Sequence, residues 1–151
     1  MFRGRYEHTL DSKGRVSFPA TYRDVLSSMD DEEQTDEVIL THALDGNLDC
    51  YPVSRWQAFE ERLQELSSFK REVKHVKRLY IGSAQACSID GNGRLLVPKS
   101  MREYAELDRE VVWVGVGEKV ELWSSSDWQE ASQEALADVD SVGETLTDLG
   151  L

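Results

Sequence analysis

The strongest constraint on this chain is a five-residue stretch that occurs twice. Asp11-Ser12-Lys13-Gly14-Arg15 and Asp90-Gly91-Asn92-Gly93-Arg94 share the Asp, a Gly three positions later and an Arg directly after it. An apolar residue, Leu10 or Ile89, precedes each Asp, and each Arg opens a short extended run that ends in a proline, Pro19 or Pro98. Asp favours the first position of a type I turn, and Gly takes the left-handed conformation that returns the chain to a second strand. Each copy therefore predicts a tight hairpin with an Arg held at its corner. Pro19 and Pro98 read as first-turn helix prolines, where a missing N–H costs nothing.

The repetition extends well beyond the turns. Glu7 to Leu10 and Arg15 to Phe18 read as the paired strands of the first hairpin, and Pro19 to Met29 as a helix packing through Tyr22, Val25 and Leu26. Val38 to Leu40, a turn at Asp45-Gly46-Asn47 and a return over Leu48 to Tyr51 have their counterpart in Val111 to Val114, Gly115 to Glu118 and Val120 to Trp123. Ser54-Arg55-Trp56-Gln57 and Ser126-Asp127-Trp128-Gln129 both fit a capping box, with a Trp in the same place. Trp56, Phe59, Leu63 and Leu66 then share one helical face. The Arg turns are 79 positions apart and the capping boxes 72, so the first half carries the longer loop. Two equivalent lobes related by a pseudo-two-fold follow from such a duplication.

A net charge of -12 opposes binding to a polyanion, but the charges are sorted along the chain. Residues 1–24 hold five Lys or Arg against three acids, and residues 69–102 hold eight against two. Both Arg turns fall in these windows. The acids gather in Asp30 to Glu37, around Glu60-Glu61, and in a tail that has no Lys or Arg after Lys119. One face is thus free to be basic while the molecule is acidic. Asp30 to Glu37 is too polar to bury and reads as a solvated loop. Phe69, Val73, Val76 and Tyr80 mark one face of a helix whose other positions carry Lys70, Arg71, Lys74, Lys77 and Arg78. That basic surface is either a solvated linker or a phosphate-facing one. Val139, Val142, Leu146 and Leu149 lie at helix spacing in the acidic tail.

No apolar run resembles a signal peptide or a membrane span, which predicts a cytoplasmic protein with no membrane partner. Cys50 and Cys87 are too few for a disulfide framework or a zinc site and read as small buried packing residues. His8, His42 and His75 show no metal-ligand spacing, and no nucleophile, acid or base set converges. The calcium-loop reading of Asp90-Gly91-Asn92-Gly93 fails because Arg94 and, in the first copy, Lys13 stand where oxygen ligands are needed. Gly115-Val116-Gly117 reads as a turn. No metal, no cofactor, no small-molecule substrate and no enzymatic activity are expected.

For Arg15 and Arg94 two readings stay open. Each Arg pairs with its own Asp, Asp11 or Asp90, and does nothing more, or the Asp orients a guanidinium that reads a guanine edge or grips a phosphate. A turn needs its Gly, Gly14 or Gly93, but only recognition needs an Arg at the same corner in both copies.

Taken together, the residues resemble the MraZ family of bacterial transcriptional regulators over nearly the full length. The resemblance is carried by Met1-Phe2-Arg3-Gly4, by Leu10 to Arg15 with Pro19 and Arg23, and by Ile81-Gly82-Ser83-Ala84. Asp90 to Arg94 with Pro98, Arg102-Glu103-Tyr104-Ala105, and Val114-Gly115 through Glu121-Leu122-Trp123 complete it. It implies an α+β fold of two tandem SpoVT/AbrB-like modules, residues 5–52 and 81–124, forming one pseudo-two-fold swapped-hairpin β-barrel with flanking helices. Residues 53–80 would be a helical connector and residues 125–151 an acidic C-terminal helix or tail. It further implies a nucleoid-associated repressor that binds repeated sites on double-stranded DNA, upstream of its own gene and of the division and cell-wall cluster, as a ring-shaped homo-oligomer. Arg15, Arg94, Lys13, Arg3 and Arg5 would touch DNA, with Asp11, Gly14, Asp90 and Gly93 shaping the turns. The alternative is an AbrB-like protein-interaction module without DNA readout.

Overall fold

The computed structural model describes residues 1–29 and 36–151. Most of the acidic run expected as a loop lies outside the described residues, and Glu37 already belongs to a strand. In chain order the first half comprises β1 (Phe2–Thr9), β2 (Arg15–Ser17), α1 (Ala20–Met29), β3 (Glu37–His42), β4 (Leu48–Pro52) and α2 (Val53–Gln64). A connector follows, α3 (Arg71–Val76) running into a single π turn at Lys77–Ile81. The second half repeats the order with β5 (Gln85–Ser88), β6 (Arg94–Leu96), α4 (Lys99–Tyr104), β7 (Glu110–Gly117), β8 (Val120–Ser124) and α5 (Ser125–Ala137), and α6 (Val139–Asp148) closes the chain.

Six strands form one antiparallel sheet in the order β1-β7-β8-β4-β3-β5. Under the pseudo-two-fold β1 exchanges with β5, β3 with β7 and β4 with β8, and the order reads the same from either end. The axis therefore passes between β8 and β4. The opening strand of each half adds to the edge of the other half's hairpin: β1 pairs with β7 from Phe2↔Gly117 to Thr9↔Glu110, and β5 pairs with β3 from Gln85↔Leu40 to Ser88↔Glu37. The remaining strands, β2 and β6, form a separate antiparallel ribbon centred on Val16↔Leu95.

These pairings correct the expected first hairpin. The turn itself is tight, with Gly14 N–H donating to Asp11 C=O at 3.0 Å, but β1 and β2 form no ladder with each other. They part after the turn, because each finds a longer or better buried partner in the other half. The sheet also stays open, with β1 and β5 as its edges among the described residues, so no closed barrel is formed.

The core lies between the ribbon and the sheet. Val16 and Leu95 are each 1 % exposed, and Phe18, Val97, Leu40, Leu48, Trp113 and Leu122 pack with them. Fully burying one such side chain is worth about 1.5–3 kcal/mol. Trp113 also donates its indole N–H to the Ser17 carbonyl at 2.9 Å, which ties ribbon to sheet without leaving a buried donor unpaired. Tyr22 of α1 donates to the Gly4 carbonyl at 2.7 Å and meets the Phe2 and Tyr6 rings edge-on. On the opposite sheet face Val112, Val114 and Trp123 are covered by Trp128 and Ala131 of α5. Cys50 and Cys87 are free and buried, as their composition reading expects.

Several local expectations shift by a residue or two. Pro98 stands just before α4 with φ -55° and ψ 146°, and Pro19 likewise precedes α1, so both are cap residues rather than first-turn ones. Ser54 and Ser126 lie inside the first turns of α2 and α5, and the cap positions are Pro52 and Ser124. The strands run straight into these helices with no intervening loop, which moves each cap two residues back. Only Ser124 caps with its side chain, accepting from Asp127 N–H at 3.1 Å. In the connector Val73 is buried, but Phe69 precedes the helix and is 95 % exposed, and Leu66 follows α2 and is exposed as well. β7 runs through Gly117, which leaves Glu118 and Lys119 as the link to β8.

Candidate nucleic-acid interface

The ribbon brings the two Arg turns to one surface. In its register Arg15 faces Leu96 and Ser17 faces Arg94, while Val16 and Leu95 between them point into the core. Alternation along a strand then puts Arg15, Ser17, Arg94 and Leu96 on the outward side, the two arginines on one diagonal. The turns cross-brace: Phe18 N–H donates to the Gly93 carbonyl at 2.8 Å, and Val97 N–H donates to the Gly14 carbonyl at 2.9 Å. Each turn is thus held by the strand that follows the other.

Within the first turn Asp11 Oδ1 accepts from the N–H groups of Lys13 and Arg15, both at 2.9 Å, and Oδ2 accepts from Arg15 Nε at 2.8 Å. In the second turn Asp90 Oδ1 accepts from Asn92 N–H at 2.8 Å and Arg94 N–H at 3.0 Å, but Arg94 Nε stands 3.9 Å from Oδ2. Both readings of the arginines therefore meet in one geometry. The Asp does pair with its Arg, and the pair leaves the Arg15 side chain 35 % exposed. Arg94 Nε is buried and has no hydrogen-bond partner among the described residues. The Arg94 side chain as a whole is 34 % exposed.

The Arg15 backbone N–H, aided by the Arg15 guanidinium and the Lys13 N–H, holds the Asp11 carboxyl down at about 2. The Arg94 backbone N–H, then the Asn92 N–H and the Arg94 and Arg15 charges, lower Asp90. The influence of Arg15 on Asp90 reflects how close the two turns lie. Asp11 fixes the Nε side of the Arg15 fork through a hydrogen bond, whereas Asp90 faces the Arg94 Nε at ion-pair distance only.

Two further arginines complete the surface and were legible only in hindsight. Arg102 of α4 lies over Gly14, where a Cβ would come within 2.7 Å of its guanidinium carbon, and Arg23 of α1 lies over Gly93 at 2.8 Å. Each helix reaches across to the sister turn. Gly14 at φ +85° and Gly93 at φ +74° are thus required by their left-handed backbone, over which the flexible end of an Arg side chain also rests. The signal was present in the repeat: each of these arginines stands four residues after its proline.

Lys13 is exposed beside Arg15. Arg3 and Arg5 are not brought to the ribbon. They alternate with Phe2 and Tyr6 along β1 and take the opposite sheet face, where the Arg5 guanidinium lies 5.6 Å from the Trp128 ring centre. Among the described residues no group of three or more His, Cys, Asp or Glu is placed to hold a metal ion. Among the described residues no helix is long and apolar enough to cross a membrane.

A duplicated α+β chain with an exchanged strand pair, and with mirrored Asp–Arg turns on one ribbon, defines a class of tandem-repeat proteins. Sequence comparison identifies which. The model of the MraZ protein family, described as antitoxin-like, matches residues 1–79 and again residues 80–149, and the chain belongs to that family. It is 40 % identical over 151 residues to a protein of Pediococcus pentosaceus, 38 % to one of Desulfitobacterium hafniense strain Y51 and 35 % to one of Thermoanaerobacter sp. strain X514. All of both chains is covered in each case, and each relative is named transcriptional regulator MraZ.

Proposed function

We propose that this chain is a DNA-binding transcriptional regulator that reads double-stranded DNA with the β2–β6 ribbon. The observation that carries the reading is the convergence of Arg15 and Arg94 on the ribbon's outward diagonal, each with its Nε side set toward its own Asp. A two-stranded ribbon fits the major groove of B-DNA, and an Arg fork bonds bidentately to guanine O6 and N7. Lys13 then neutralises a neighbouring phosphate. Arg3 and Arg5, on the other sheet face, join only where DNA passes the β1 edge. In this reading residues 5–52 and 81–124 are the two modules, residues 53–80 the connector and residues 125–151 an acidic appendage. The naming of the relatives as transcriptional regulators supports it.

The finer reading is repression of its own promoter and of the division and cell-wall cluster by a ring-shaped oligomer on repeated sites. One ribbon offers few base contacts, and several linked copies on successive repeats multiply weak binding. The test is a gel shift on the DNA upstream of the chain's own gene. Wild-type protein shifts it, and Arg15→Ala weakens binding by about 1–3 kcal/mol per engaged site, the worth of one bidentate base contact. Equal binding by Arg15→Ala with an unchanged oligomer overturns the assignment. A pure interaction module predicts no shift at all.

A further inference from the structure

We propose that Leu96 is a specificity-determining residue of the ribbon, seated on the 5-methyl group of a thymine next to the guanine that Arg15 reads. The inference rests on the DNA reading of the preceding section and adds a direction to it: one end of the ribbon distinguishes thymine and the other does not.

Leu96 is 54 % exposed, although its chain neighbours Leu95 and Val97 are 1 % and 0 % exposed. A lone exposed leucine is ordinary on a protein surface. This one stands directly opposite Arg15 in the β2–β6 register, on the outward side that also carries Arg94 and Ser17. Opposed Cβ atoms on one face of an antiparallel pair lie about 5 Å apart, and nucleotides follow one another at about 3.4 Å along a strand of B-DNA. A ribbon that sets Arg15 on a guanine therefore sets Leu96 over a neighbouring base pair. In the major groove the apolar feature of a base edge is the thymine methyl, which projects toward the protein and suits a side chain shorter than Arg.

The sister corner is built otherwise. The pseudo-two-fold exchanges Leu96 with Ser17, which stands opposite Arg94. A serine hydroxyl bonds base edges of either kind and selects less. The flanks differ in the same sense. Leu10 N–H donates to the Arg109 carbonyl at 2.7 Å behind the first turn, and Ile89 N–H donates to the Asp36 carbonyl at 2.6 Å behind the second. Both of these supporting residues are exposed, so equivalent positions present a cation beside the first turn and an acid beside the second. Lys13 against Asn92 repeats the contrast within the turns. A polyanion is drawn to the Arg15 end, which is the end that Leu96 occupies.

The test is fluorescence anisotropy with the full chain and with duplexes from the DNA upstream of its own gene, in which thymines are replaced one at a time by deoxyuridine. The replacement removes the methyl group and keeps the base pairing. Wild type is expected to lose about three- to fivefold in affinity per engaged ribbon at a thymine adjacent to guanine, the worth of one buried methyl or methylene group. Leu96→Ser, which copies the sister corner, is expected to bind thymine and deoxyuridine duplexes equally, and Leu96→Met, still apolar, to keep the preference. Circular dichroism verifies that both variants stay folded. A wild type indifferent to every replacement, or a Leu96→Ser chain that keeps the wild-type loss, overturns the proposal and leaves the DNA reading intact. A wild type that binds no duplex overturns that reading, and this inference with it.

Discussion

At the scale of single residues, the turn glycines carry the most specific consequence. Gly14 needs a left-handed backbone, which costs an ordinary residue about 1–2 kcal/mol. The Arg102 guanidinium above it ends a flexible side chain and swings aside, so the backbone term remains. Gly14→Ala is therefore expected to lower unfolding free energy by about 1–2 kcal/mol in urea, and adding Arg102→Ala is expected not to restore it. Full recovery in the double variant would show that crowding, not conformation, sets the cost. The Asp11 carboxyl gives a second prediction. Its folded value of about 2 lies below the ordinary one, so its contribution is complete above the normal carboxylate range and is lost as pH falls toward 2. Between pH 5 and pH 2 the melting temperature of Asp11→Asn is expected to fall less than that of wild type. The Asp, the Gly and the Arg of each corner were legible from the sequence because turn chemistry is local. The guanidinium that caps each glycine was not, since it comes from the other half of the chain.

Elements were legible wherever their signal is periodic. Both β-hairpins of the main sheet, the Trp56, Phe59 and Leu63 part of the α2 face and a helix over Val139–Asp148 fall where spacing puts them, while Leu66 lies beyond α2. Partnership was harder. β2 and β6 are three residues each, and duplicated strands present the same alternation to a sister as to a neighbour, so nothing in the pattern chooses between them. Helix starts failed for a related reason. Ser54 and Ser126 head convincing capping boxes, yet the strand's last residue takes the cap directly. Ser124→Ala removes a real acceptor and is expected to cost about 1 kcal/mol, whereas Ser126→Ala, within the first turn, is expected to change stability by less than about 0.5 kcal/mol. Equal losses for the two serines in thermal or urea melts would return the cap to Ser126.

At the scale of the whole molecule, strand exchange makes the halves inseparable. Unfolding either half strips the other of a sheet strand and of the ribbon strand that covers its core, so a single cooperative transition is expected. The seam on the pseudo-two-fold adds a polar lock. Asp49 of β4 is fully buried and bonds Lys119 Nζ, from the β7–β8 link, at 2.6 Å. Burial pushes the Asp49 carboxyl up despite this partner, so it depends on the Lys119 charge to remain ionised. Removing the partner leaves a buried carboxylate unpaired, and Lys119→Met is expected to cost about 3–5 kcal/mol at neutral pH. The sign of its pH dependence follows. An acid raised in the folded state takes up a proton on folding, so the penalty is full at high pH and shrinks as acidification protonates Asp49. Asp49→Asn in the same chain is expected to recover most of the loss, since it removes the stranded charge. Urea titrations followed by Trp fluorescence and by circular dichroism should coincide in every variant. A Lys119→Met chain whose two signals separate would show that the halves fold independently, contrary to the exchanged sheet order.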